Sequence, residues 1–246
     1  MDLIYIILII SILGPIIGSL IGVLKKPSNS FMYNMLAFAA GVMLAVSFLQ
    51  LIPQSIELSS IMICAIGFII GAVIMYVLDT KLIPHVHPEL CKPEPGYRLK
   101  KTSIYLLLGI FLHNFPEGMA IASGIVADFK TTFTIALAIA IQNIPEGICT
   151  SAPYYFCTKK KLKSFLVSSS TAIPIAVGFI FASFLFQNIP LLITGMIIAA
   201  TAGFMVYITA DELIPTSCNK GNGEYSHSSI FSLIAGILFV ILLGLI

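Results

Sequence analysis

Residues 131–155 read TTFTIALAIAIQNIPEGICTSAPYY, an apolar run of membrane-spanning length with Gln142, Asn143, Pro145 and Glu146 set into its middle. Residues 102–126, TSIYLLLGIFLHNFPEGMAIASGIV, repeat the plan with His113, Asn114, Pro116 and Glu117. A carboxylate at bilayer depth costs at least ~2.5 kcal/mol, so two of them at matching positions need a shared compensating partner. On a helix His113 and Glu117 share a face, as do Gln142 and Glu146, because residues four apart lie one above the other. Turned toward each other, the two faces offer an imidazole nitrogen, an amide oxygen and two carboxylates, a donor set suited to a divalent cation. Pro116 and Pro145 each remove a helical hydrogen bond, freeing the carbonyls of Leu112 and Ile141. Such breaks are tolerated at membrane depth where they line a protein-buried or wet cavity, and transport sites are built from them.

Working outward, the whole chain has the same character. Of its 246 residues 58% are hydrophobic and 10% charged, against about 25% charged in a soluble domain, so an integral membrane protein is expected. No alternating pattern suggests a barrel, and an all-α bundle is expected instead. A formal net charge of +2 is too small to point to nucleic acid. The five cysteines, Cys64, Cys91, Cys149, Cys157 and Cys218, form no CxxC pair and read as free thiols. The N-terminus lacks a basic leader region and reads as a membrane helix. Eight runs are long enough to span, near residues 3–24, 34–55, 58–79, 102–126, 131–155, 164–186, 190–212 and 228–246. They form one domain over residues 1–246, whose longest connection, 80–101, is rich in proline and carries His85 and His87.

Of the 13 lysines and arginines, all but Lys130 fall after spans one, three, five and seven. The positive-inside rule then places both termini outside and the 80–101 loop in the cytoplasm, in a multi-pass protein of the cell membrane. Gly14, Gly18 and Gly22 in the first span read as a close-packing stripe. Gln50, Gln54 and Glu57, at the outer end of the second span, are either an interfacial cap or the polar mouth of an entrance. Asp79, Asp211 and Glu212 lie at inner ends, where with His85 and His87 they form a candidate cytoplasmic exit. The hydroxyls of Ser168 to Thr171 in the sixth span are expected to bond their own helix carbonyls.

The motifs HNFPEG and QNIPEG resemble those of the ZIP (zinc/iron-regulated-transporter-like) metal transporter family, in its prokaryotic GufA-type branch. AGVMLAVSFLQLIP in the second span and ITADELIP in the seventh add to the resemblance. It implies a pseudo-symmetric 3+2+3 bundle with spans four and five central. It also implies transport of Zn²⁺, with Cd²⁺, Fe²⁺ or Mn²⁺ as further substrates, toward the cytoplasm. Residue by residue, it places the cation on His113, Glu117, Gln142 and Glu146. A second ion in some relatives uses the positions of Asn114 and Asn143 and an acid on the sixth span. This chain has no acid there, so one strong site and at most a weak neighbour are expected.

The expected partners are divalent metal ions and lipid, with a second copy of the chain allowed and no organic cofactor. Two other classes of function compete with transport. An intramembrane metalloenzyme would need a motif such as HExxH, which is absent. A proton-conducting channel would use Glu117 and Glu146 without a metal.

Overall fold

The computed structural model describes residues 2–24, 28–82, 114–123, 129–218 and 227–244. All regular structure among them is helical: α1 (Asp2–Leu24), α2 (Asn29–Val46), α3 (Ile52–Leu58), α4 (Ile61–Leu82), α5 (114–123), α6 (Phe129–Thr158), α7 (Lys161–Ser169), α8 (Ala172–Asn188), α9 (Leu191–Ile208), α10 (Ile214–Cys218) and α11 (His227–Leu243). Six candidate spans emerge among the described residues by length and apolarity, with α2–α3, α7–α8 and α9–α10 each counting as one. Side chains on their outer faces, such as Ile66, Ile69 and Val73 of α4, are exposed and apolar, as lipid contact requires.

Two breaks join these helices. Ser47–Leu51 is a π turn between α2 and α3, and Thr209–Leu213 is a π turn between α9 and α10. Each is followed by Ile-Pro, whose missing N–H suits the start of a new helical segment. The prolines of the central motifs act differently. α6 runs unbroken through Pro145, and residues 114–123 stay helical through Pro116. One lost hydrogen bond is a local defect that the rest of a long, packed helix carries. The unwinding expected at these prolines is replaced by the two π turns elsewhere.

Without a strong hydrophobic drive in lipid, close backbone approach and interhelical hydrogen bonds hold helices together. The α1 stripe packs on α6: a methyl at Gly18 would fall on the Ile144 carbonyl, and one at Gly14 on that of Ala140. Gly118 and Gly178 bring α5 and α8 together in the same reciprocal way, each facing a carbonyl of the other helix. α2 pairs with α11, and α4 with α9. Two groups of helices result. One holds α1, α5, α6, α7 and α8; the other holds α2, α3, α4, α9, α10 and α11. They meet along α2 and α6 over a core that includes Val42, Val46, Ile135 and Ile139.

A candidate metal site between the two central helices

Glu117 on α5 is fully buried. Its two oxygens are held by α6. The Gln142 amide nitrogen donates to Oε1 at 2.6 Å, and the Asn143 amide nitrogen donates to Oε2 at 2.7 Å. Gln142 and Asn143 are adjacent in sequence, yet both reach one carboxylate because Glu117 sits against the face of α6 between them. Asn114, one turn earlier on α5, donates to the Thr171 carbonyl at 2.8 Å, which ties α5 to the turn between α7 and α8. Glu146 lies within electrostatic range of Glu117 and of Glu212.

The donors are used, but the acceptors are not. Asn114 Oδ1, Gln142 Oε1, Asn143 Oδ1 and Glu146 Oε1 are buried without a hydrogen-bond partner in the protein. A buried polar atom left unpaired costs about 1–3 kcal/mol, so these three amide oxygens and one carboxylate oxygen make an electron-rich set on residues that hold or neighbour the two carboxylates. The arrangement suits a hard to borderline cation. Among the described residues no three His, Cys, Asp or Glu side chains gather. His113, the imidazole of the expected set, lies outside the described residues, as do His85 and His87.

The other candidates are spread along the bundle. Gln50 is half-buried in the first π turn, and Glu57 is exposed near the end of α3. Gln54 is buried and bonded to Ser123. At the opposite end, the Tyr207 hydroxyl donates to Asp79 Oδ2 at 3.4 Å, linking α9 to α4, with Asp211 in electrostatic range. Asp211 and Glu212 are exposed in the second π turn. The sixth-span hydroxyls divide. Ser170 and Thr171 bond carbonyls of their own segment, as expected. Ser168 instead donates to the Gly147 carbonyl and meets the hydroxyls of Ser19 and Thr150, joining α7 to α1 and α6. Sequence reasoning missed Ser123 and the Thr171 carbonyl. Nothing local marks either, since their partners lie 69 and 57 residues away.

The HNFPEG and QNIPEG motifs thus bring Glu117, Gln142 and Asn143 together between α5 and α6. Residues 84–244 match the family model described as ZIP Zinc transporter. The chain belongs to the ZIP family. It is 34% identical over 208 residues to the proteins named Zinc transporter ZupT of Salmonella paratyphi A (strain ATCC 9150 / SARB42), Salmonella newport (strain SL254) and Salmonella heidelberg (strain SL476). Each alignment covers 81% of this chain and 80% of the relative. This ZIP chain is therefore a multi-pass membrane protein of a transporter family, not an enzyme.

Proposed function

We propose that this ZIP chain carries divalent transition-metal ions, Zn²⁺ foremost, across the cell membrane toward the cytoplasm through His113, Glu117, Gln142 and Glu146. The observation that carries the reading is the set of four unpartnered acceptor oxygens on Asn114, Gln142, Asn143 and Glu146. A doubly positive guest would pair them and offset the two carboxylates at once. Zn²⁺ is favoured because the 34% identical relatives bear the name zinc transporter. Cd²⁺, Fe²⁺ and Mn²⁺ share the ligand chemistry. Asn114 and Asn143 form a weaker neighbouring site, their oxygens belonging to the same cluster.

The rest of the reading follows the chain. Residues 1–246 form one domain of eight spans with both termini outside, and loop 80–101 lies in the cytoplasm. The helix pairing supports the 3+2+3 plan: α1 on α6 is matched by α8 on α5, and α2 on α11 by α9 on α4. Gln50, Gln54 and Glu57 lie at the entrance. Asp79, Asp211 and Glu212, with His85 and His87, lie at the exit. Movement of one helix group against the other along α2 and α6 would expose the site to each side in turn.

The test is Zn²⁺ uptake into liposomes enclosing a zinc-sensitive dye. Glu117→Ala combined with Glu146→Ala should reduce uptake to the rate of protein-free vesicles. Uptake at the wild-type rate would rule out the assigned residues. Proton current without metal dependence would favour the channel reading instead.

A further inference from the structure

We propose that Gln54 and Ser123 form the outer latch of the transport path, a contact that must part before a cation can enter. This rests on the transporter reading above. Both ends of the Gln54 amide meet Ser123: its nitrogen donates to the Ser123 carbonyl, and its Oε1 lies 3.2 Å from the Ser123 hydroxyl, whose proton is shared with the Ala120 carbonyl at 2.7 Å. Gln54 is buried on α3, and Ser123 is buried at the end of α5. The two residues belong to different helix groups, so relative movement of the groups strains this pair. α3 is anchored in its own group by the Ser55 hydroxyl, which donates to the Gly195 carbonyl of α9 at 2.7 Å. Ser123 lies six residues beyond Glu117, roughly 9 Å of helical rise. The latch therefore stands between the candidate site and the end of the bundle that carries Lys130, which is the outer end in the orientation proposed here.

A second observation gives the latch its direction. Ser47-Phe48-Leu49-Gln50-Leu51-Ile52-Pro53-Gln54-Ser55 aligns with Thr209-Ala210-Asp211-Glu212-Leu213-Ile214-Pro215-Thr216-Ser217. Both stretches fold alike, a five-residue π turn followed by a helical segment opening Ile-Pro. Thr216 is thus the inner counterpart of Gln54. Laying QNIPEG on HNFPEG makes Ala152 the counterpart of Ser123. A methyl cannot hydrogen-bond a hydroxyl. Ala152 keeps the backbone carbonyl but has no hydroxyl, and among the described residues no hydrogen bond joins it to Thr216, so the two doors are not held equally.

Gln54→Cys with Ser123→Cys, reconstituted in liposomes and treated with a short bifunctional methanethiosulfonate, tests this. Zn²⁺ uptake should fall to the protein-free rate once the pair is bridged and return on reduction. Wild type, with its native cysteines, and each single variant should be insensitive to the reagent. Full uptake by protein shown by mass to be bridged would overturn the latch. An independent arm needs no transport. Leu51 is fully buried one turn inside Gln54, on the same face. In intact cells, labelling of Leu51→Cys by an impermeant thiol reagent should rise roughly two- to tenfold when Gln54→Ala is added, the population change expected from losing a net hydrogen bond. Unchanged labelling would overturn the latch. Wild type that takes up no Zn²⁺ would overturn the transporter reading, and the labelling would still decide the latch.

Discussion

Glu117 shows how much of the candidate centre rests on single side chains. Its carboxylate is the only group joined by both Gln142 and Asn143 among the described hydrogen bonds. Groups that orient a metal ligand are worth 10- to 100-fold in metal affinity when removed. Asn143→Leu keeps the volume, deletes the donor to Oε2 and leaves Glu117 free to turn. The expected outcome is a half-saturating Zn²⁺ concentration about 10- to 100-fold higher, read from the concentration dependence of uptake. An unchanged half-saturation would show that Asn143 does not position the carboxylate. Glu117, Gln142 and Glu146 were legible as candidates because polar groups in an apolar run are costly and therefore conspicuous. Which oxygen would face which nitrogen was not, because that depends on the angle at which α5 meets α6.

The helices themselves were largely legible, and their interruptions were not. Length and apolarity placed α1, α4, α6 and α9 close to where they stand. The π turns at Ser47–Leu51 and Thr209–Leu213 carry no local signal beyond the Ile-Pro that follows, while Pro145, a conspicuous breaker, lies inside an unbroken helix. Glycine spacing was a better guide. The Gly14, Gly18 and Gly22 stripe does lie against α6. Gly18→Ala would set a methyl onto the Ile144 carbonyl, and overpacking of this kind costs about 1–3 kcal/mol. The expected outcome is a lower Tm in detergent, by about 2–4 °C for each kcal/mol in a chain of this size. An unchanged Tm would mean that α1 can shift away without loss.

At the scale of the molecule, the proposed ligand set would add the imidazole of His113, which lies outside the described residues, to the oxygen-rich side chains of Glu117, Gln142 and Glu146. Nitrogen and oxygen donors together favour borderline ions over Mg²⁺, which holds its water shell tightly. Excess Cd²⁺ should therefore suppress Zn²⁺ uptake strongly, and equal Mg²⁺ should leave it unchanged. Equal suppression by both would contradict the proposed ligand set. Sequence alone determined that the chain is a multi-pass membrane protein, that regular structure among the described residues is helical, and that two acidic motifs recur inside apolar runs. Each of these follows from the cost of exposing charge or backbone to hydrocarbon, a cost that acts on every residue where it stands in the chain. Tertiary structure decided which helices pair, that Gln142 and Asn143 hold one carboxylate, and that Gln54 meets Ser123. Those contacts join residues 25, 26 and 69 positions apart, and only the packing of whole helices brings such distant groups within hydrogen-bond reach.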